Sequence, residues 1–233
     1  MVDPVEIHRL GQIKDVEEWN RAVKIKSIAI FIVIFFVIWI TRVILFNIFD
    51  RNLSTDIYKA LSSHAFKFVI WVLPVFLYLT FIDKTNTFRY LKLSTSLKEG
   101  FFWSLGVLLF GAVGQLVALK LGLDKIGLIS VVGIVNLTIG SLFEEILMRG
   151  FILSKLSEVT SFNKALLITS LLFYGIHLPG WILIYHYSLN QIFIYSGSIF
   201  FVVSLGGGLL VNKSNSLYPS IILHIINNFI TSI

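Results

Sequence analysis

The chain has 233 residues, of which 56% are hydrophobic and only 14% are charged, whereas a soluble domain carries about 25% charged residues. This composition excludes an ordinary soluble globular class and indicates an integral membrane protein. The net charge of +6 does not indicate nucleic-acid binding, because the basic residues lie between apolar runs, where membrane topology places them. The absence of cysteine excludes disulfides, thiolate metal sites and cysteine catalysis.

Apolar runs long enough to cross a bilayer recur along the chain, since a span needs about 20 apolar residues of helix. The first 26 residues are polar and lack the apolar core of a cleavable signal peptide, so the first run is expected to remain as a spanning helix. Seven runs qualify, at about 27–46, 66–82, 100–119, 127–156, 165–185, 192–211 and 217–233. The sequence therefore predicts an all-α polytopic membrane helix bundle with about seven transmembrane helices, or eight if one further segment spans.

The distribution of Lys and Arg in the short loops predicts the orientation, because basic residues are enriched on the cytoplasmic side. With the N-terminus inside, twelve basic residues lie in inner segments and five in outer ones, Lys67 among the five. We therefore predict a multi-pass protein of the cell membrane with a cytoplasmic N-terminus.

Two acids lie inside an apolar run, Glu144 and Glu145, whereas the others lie in the tail, in loops or at a span end. Charged groups in hydrocarbon are costly and usually mark function. Glu145 and Arg149 are four residues apart, so they share a helix face and can pair. Glu144 points about 100° away and has no partner in its own helix, which suits a general base acting on water. The alternative is that both glutamates brace the bundle by satisfying Arg149 and a neighbouring helix.

Two later runs carry pairs of candidate site residues at the same spacing. Phe173 and His177 share a face of the fifth helix, and His224 and Asn228 share a face of the last. Two donors on one face can bind a developing oxyanion, although hydrogen bonding between helices is the commoner role of His and Asn in membranes.

A count of depth at about 1.5 Å per residue tests whether these helices can share one site. If the fourth helix runs to about residue 156, Glu144 lies about 18 Å from its inner end and His177 about 20 Å from that of the fifth. His224 and Asn228 lie about 10–17 Å into the last helix. These side chains are therefore expected to meet below the midplane.

Together the three motifs resemble those of the CAAX-protease and bacteriocin-processing (CPBP, or Abi) family of intramembrane proteases, which includes the type II CAAX prenyl endopeptidases. The family motifs are E-E-x-x-x-R, F-x-x-x-H and H-x-x-x-N. They are matched in order by Glu144, Glu145 and Arg149, by Phe173 and His177, and by His224 and Asn228. The resemblance covers about residues 127–233, which would form a catalytic core of four helices. Residues 1–126 would add a tail and three variable helices to the same structural domain.

The resemblance implies an endopeptidase that hydrolyses a small membrane-associated or leader-peptide substrate within the lipid bilayer, in bacteriocin processing or self-immunity. The implied catalytic residues are Glu144, His177, His224 and Asn228, supported by Glu145, Arg149 and Phe173. Within the catalytic set, the first two would activate water and the last two would stabilise the oxyanion.

Metal dependence stays open at this stage. A glutamate mechanism requires no cofactor. If Zn²⁺ is required, the ligands would be Glu144, His177 and His224, because imidazole and carboxylate both suit zinc. The glutamate mechanism is preferred, because zinc proteases usually show H-E-x-x-H and this chain has no such motif. Aspartyl and rhomboid chemistries are disfavoured, since no apolar run holds an aspartate and Ser196 lacks the G-x-S context.

Two other classes compete with the protease. The first is a non-enzymatic immunity or regulatory protein that binds a membrane partner such as a sensor kinase, a transporter or a bacteriocin receptor. The second is a small transporter, in which the run Gly206, Gly207 and Gly208 would break a helix. Close helix approach is the simpler explanation of these glycines, and the cost of each intramembrane polar group argues against a pure scaffold.

Overall fold

A computed structural model of the protein describes residues 4–49, 56–122 and 130–232. These ranges contain helices and no strands, which confirms the predicted all-α class. The helices within them are α1 (Pro4–Phe49), α2 (56–82), α3 (Thr87–Tyr90), α4 (Leu97–Lys120), α5 (Val131–Ser157), α6 (Phe162–Leu183), α7 (Leu189–Ser214) and α8 (Tyr218–Ser232).

Six helices in the described ranges are long and apolar enough to cross a membrane. They are Val16–Leu45 of α1, Leu61–Ile82 of α2, and the whole of α4, α5, α6 and α7. The seventh predicted run falls on α8, whose 15 residues extend about 22 Å, less than the hydrocarbon thickness of about 30 Å. Residues 127–129 of the fourth run and 233 of the last lie outside the described residues. The polytopic bundle is confirmed, with six full-length spans and one shorter helix.

Helix boundaries follow local chemistry. Ser130 caps the start of α5 by accepting a hydrogen bond from the Gly133 backbone N–H at 3.1 Å. Asn215, with φ of 49°, ends α7 in the left-handed conformation that asparagine tolerates. Pro219 lies in the first turn of α8, where its missing N–H costs nothing. The short connection that results places α8 antiparallel to α7 and in contact with it.

Several spanning helices contain stretches of wide turns, in which backbone hydrogen bonds reach the fifth residue along. They are Phe68–Val72 and Tyr78–Ile82 in α2, Ile146–Leu153 in α5 and Ser198–Gly206 in α7. Pro74 lies between the two stretches of α2, and its missing N–H and its ring disturb the normal bonding pattern there. Such turns are rare and occur often at functional sites. The stretch in α5 begins directly after Glu145.

Helix α5 lies at the centre of the bundle. Helices α2, α6 and α8 all pack against it, and every residue of its stretch Ile146–Leu153 is buried. Helix α7 reaches α6 and α8 closely because a Cβ at Gly207 would collide with Ser220, and one at Gly208 would collide with Leu166. Helix α7 is continuous through these glycines, so they serve close packing and do not break the helix.

A polar cluster, here called the end cluster, ties α1, α2 and α3 to the end of α5. Lys155 Nζ lies 2.6 Å from Asp83 Oδ2 and 3.0 Å from Glu158 Oε1. Glu158 also pairs with Lys24 at 3.1 Å and accepts a hydrogen bond from the Tyr90 hydroxyl. Glu158 is therefore the anion that three donors share.

Replacing Glu158 by glutamine should reduce the loss of unfolding free energy that occurs when the pH is lowered into the acid range. Burial alone would raise the pKa of Glu158, but hydrogen bonds from Tyr90, Lys155 and Lys24 outweigh it and hold that pKa below its usual value. A carboxyl whose pKa is lower in the folded state stabilises the protein above its unfolded pKa of about 4.3. This stabilisation is lost as the pH falls through the folded pKa.

The measurement is the melting temperature of the wild type and of the variant in detergent, from about pH 7 to pH 3. This range includes the pKa of a glutamate in the unfolded chain. The wild type should lose more stability over this range than Glu158→Gln. The matched control is Glu99→Gln, which removes an exposed acid at the start of α4. Equal losses in the wild type and Glu158→Gln would contradict the prediction.

Candidate functional site

Glu145 is fully buried and is held by three neighbours. Its Oε1 lies 3.1 Å from Arg149 Nη1 and accepts a hydrogen bond from His224 Nδ1 at 2.9 Å. Its Oε2 accepts a hydrogen bond from the Ser220 hydroxyl. The predicted Glu145–Arg149 pair is therefore present, and the same carboxylate also orients an imidazole of α8.

Phe173 connects the three motifs. The guanidinium carbon of Arg149 lies 4.0 Å from the centroid of the Phe173 ring, a favourable cation–π contact. Arg149 Nη2 also donates to the backbone oxygen of Val203 at 2.8 Å. The edges of His177 and His224 contact the same ring, with centroid distances of 4.9 and 5.5 Å. The aromatic residue of F-x-x-x-H is thus a buried platform between the arginine and both histidines.

Glu144 faces the two imidazoles. Its Oε2 lies 3.8 Å from His177 Nε2 and 3.7 Å from His224 Nε2. The opposite nitrogen of each ring is engaged, His177 Nδ1 with the backbone oxygen of Phe173 at 2.8 Å and His224 Nδ1 with Glu145. These contacts fix the orientation of both rings, and each ring therefore presents its Nε2 to Glu144. The three helices meet here as the depth count predicts, because α5 continues to Ser157.

Asn228 lies one turn beyond His224 on α8. Its Nδ2 donates to the Ser141 hydroxyl at 3.1 Å, and that hydroxyl donates to the backbone oxygen of Leu137 at 2.6 Å. Ser141 precedes Glu144 by three residues, so it lies on the neighbouring turn of α5. Asn228 therefore contacts α5 beside the glutamate pair.

The sequence prediction missed Lys67, which it counted in an outer loop. Lys67 lies in the second spanning helix, and its Nζ forms an ion pair with Glu144 Oε1 at 2.8 Å. The two side chains are 19% and 11% exposed. The residue falls within the predicted run 66–82, and an intramembrane cation needs an acid as its partner. The position of this lysine inside an apolar run therefore indicated a partner among the two glutamates that also lie in a run.

His64, one turn earlier on α2, was missed as well. Its Nε2 lies 2.7 Å from Asn136 Oδ1 of α5. This contact and the Lys67–Glu144 pair join two successive turns of α2 to α5. His186, at the end of the fifth predicted run, is exposed in the turn after α6 with φ of 52°.

A cavity of about 240 Å³ opens onto Glu144, Lys67 and His177. Its walls are mainly apolar and come from α1, α2 and α6; they include Trp39, Arg42, Phe66, Trp71, Ile176 and Trp181. Apolar walls with a few converging polar groups are typical of a ligand site. A larger apolar groove of about 690 Å³ lies between α4 and α7 and contains none of the motif residues.

The three side chains considered as zinc ligands are Glu144, His177 and His224. In the part of the chain that the structure describes, no group of three or more His, Cys, Asp or Glu side chains is arranged to hold a metal ion. Glu144 instead pairs with a cation of the protein itself, Lys67. As placed, Glu144, His177 and His224 do not form a metal site.

Comparison with known proteins gives one match. Residues 126–230 match the family model of type II CAAX prenyl endopeptidase Rce1-like proteins. This interval contains all three motifs and confirms the family resemblance drawn from them. No match was found among curated proteins or among solved structures.

Proposed function

Because residues 126–230 match the family model of type II CAAX prenyl endopeptidase Rce1-like proteins, we propose that this protein is an intramembrane endopeptidase. Its proposed catalytic residues are Glu144, His177, His224 and Asn228. The observation that supports this most strongly is the approach of one Glu144 oxygen to Nε2 of both histidines, at 3.8 and 3.7 Å. The proposed substrate is a small membrane-associated protein or a leader peptide.

In the proposed reaction, Glu144 and His177 orient a water molecule and Glu144 accepts one of its protons. The water oxygen forms a bond to the carbonyl carbon of the scissile peptide, and the carbonyl electrons move onto its oxygen. Donors from His224 and Asn228 stabilise this oxyanion. The C–N bond then breaks, and the leaving amine takes the proton from Glu144. The products are a new carboxyl group and a new amine.

Glu145 and Arg149 have supporting roles in this proposal. The Glu145 carboxylate accepts a hydrogen bond from Nδ1 of His224 and thereby holds the ring with Nε2 toward Glu144. The guanidinium of Arg149 forms an ion pair with the same carboxylate and balances its charge. Phe173 fixes the separation of the two imidazoles.

The cavity is the proposed position of the substrate segment beside the scissile bond. It borders Glu144 and His177, and its volume of about 240 Å³ suits one large apolar side chain. Trp39 of α1 and Trp71 of α2 line it, so helices before the family-matched region contribute to the site. We therefore propose that the division into residues 1–126 and 127–233 marks where the motifs lie, within one structural domain.

The proposed location is the cell membrane, with the N-terminus in the cytoplasm. Lys67 is within a spanning helix and leaves the count of outer basic residues. Its removal from that count strengthens the charge bias on which the orientation depends.

The test of the proposed activity compares cells that express the wild type with cells that express Glu144→Gln at equal levels. Quantitative proteomics of membrane and secreted peptides should show specific termini that disappear in the variant. Glu99→Gln, with an exposed acid removed, is the matched control and should preserve them. If no terminus changes while a wild-type phenotype such as bacteriocin resistance persists, the protein is a membrane binding partner and not a protease.

Chelation separates the glutamate mechanism from a zinc mechanism. We favour the glutamate mechanism because the Lys67 ammonium, 2.8 Å from Glu144, would oppose binding of a second cation there. Purified protein dialysed against a zinc chelator should cleave its substrate at an unchanged rate. Loss of activity that stoichiometric Zn²⁺ restores would assign the metal mechanism instead.

A further inference from the structure

We infer that Lys67 is a positioning residue of this site: it holds one oxygen of Glu144 and thereby presents the other to both histidines. The inference rests on the proposed function of Glu144. It assigns a role in the reaction to α2, which lies before the region that matches the family.

The contacts of Glu144 divide cleanly between its two oxygens. Oε1 is 2.8 Å from Lys67 Nζ, and Oε2 is the atom nearest to His177 and His224. The terminal torsion of a glutamate is broad, so the carboxylate turns easily unless one oxygen is held. A charge-assisted hydrogen bond is shorter and stronger than a neutral one. Lys67 therefore selects the carboxylate orientation in which Oε2 faces the imidazoles.

Lys67 itself lies beside aromatic neighbours. Its Nζ lies 5.1 Å from the ring centroid of Trp71, which is only 1% exposed. Trp71 in turn packs edge-on against Trp39, with centroids 4.8 Å apart. Gly140, one turn before Glu144, presents no side chain to the ammonium, and a Cβ there would be in van der Waals contact with Nζ at 3.7 Å. The lysine thus crosses from α2 to α5 over a glycine.

A merely structural role for Lys67 would be the neutralisation of a buried acid. Such a role affects unfolding, whereas positioning affects the rate of the chemical step and leaves substrate binding unchanged. Kinetic constants therefore distinguish the two roles, because loss of an interaction specific to the transition state lowers kcat while KM stays constant.

The experiment uses full-length protein in detergent and a synthetic peptide that spans the cleavage site found in the Glu144→Gln comparison. Lys67→Met, which keeps a long unbranched side chain but removes its charge, should lower kcat by about 100-fold with KM nearly unchanged. Lys67→Arg, which keeps a cation and hydrogen-bond donors, should recover most of this loss. Lys98→Met, at an exposed lysine of α4, is the matched control and should behave as wild type.

Folding is checked separately with the double variant Lys67→Met/Glu144→Gln, which removes both charges and leaves no unpaired ion. A melting temperature close to that of the wild type for this variant and for Lys67→Met supports positioning. An unchanged kcat in Lys67→Met, or no recovery in Lys67→Arg, would overturn the inference while the proposed function stands. Full activity of Glu144→Gln would instead overturn the proposed function itself.

Discussion

Replacing Glu144 by glutamine should abolish peptide cleavage and leave the fold intact. The amide has the shape of the carboxylate and its oxygen can still accept from Lys67, but it cannot take a proton from water. Loss of a general base costs about 10²- to 10⁴-fold in rate. The substitution leaves the Lys67 ammonium without its counter-ion, but both side chains border a cavity, so this charge is not enclosed on all sides and the fold should persist.

The measurement is kcat of the purified variant beside its melting temperature in the same detergent. We expect kcat to fall by at least 100-fold while the melting temperature stays near that of the wild type and of Glu99→Gln. Activity within a few-fold of the wild type would rule out Glu144 as the base. A folded but inactive protein would separate catalysis from bundle stability, which the sequence alone left as competing explanations of the glutamates.

Replacing Arg149 by methionine should have the opposite outcome and destabilise the whole bundle. Arg149 and Glu145 are 1% and 0% exposed, and the substitution would leave Glu145 as a buried charge without its arginine. Breaking a buried pair from one side costs about 3–5 kcal/mol. The guanidinium also loses its hydrogen bond to Val203 and its contact with the Phe173 ring.

Chemical or thermal unfolding in detergent measures this effect, and a second variant shows its cause. Arg149→Met/Glu145→Gln removes both charges, so it should be more stable than Arg149→Met alone. If Arg149→Met unfolds at the wild-type midpoint, the pair does not brace the bundle. If the double variant is no more stable than the single one, the packing of the guanidinium on Phe173 matters more than the charge of Glu145.

Composition and helical periodicity were enough to predict most of the fold. Hydrophobic content and few charges place the chain in a bilayer, where backbone groups must bond within their own segment, so the spans have to be helices. The number of full-length spans could not be read from composition. Residues 217–233 are apolar like the other runs, but α8 is packed against α4, α5 and α7, and only the structure shows that it is shorter than a full span.

The sequence by itself determined the motif set and the Glu145–Arg149 pair, because residues four apart share a helix face whatever surrounds them. The same period showed that Glu144 faces elsewhere, but not what it meets. Only the tertiary structure decided that His177 and His224 meet one oxygen of Glu144 and that Lys67 meets the other. The reason is physical: helix periodicity defines angles about one axis, whereas contacts between helices depend on their rotation, depth and separation. These are determined by packing, here by the buried aromatic platform of Phe173 and by the glycines that let α7 approach α6 and α8.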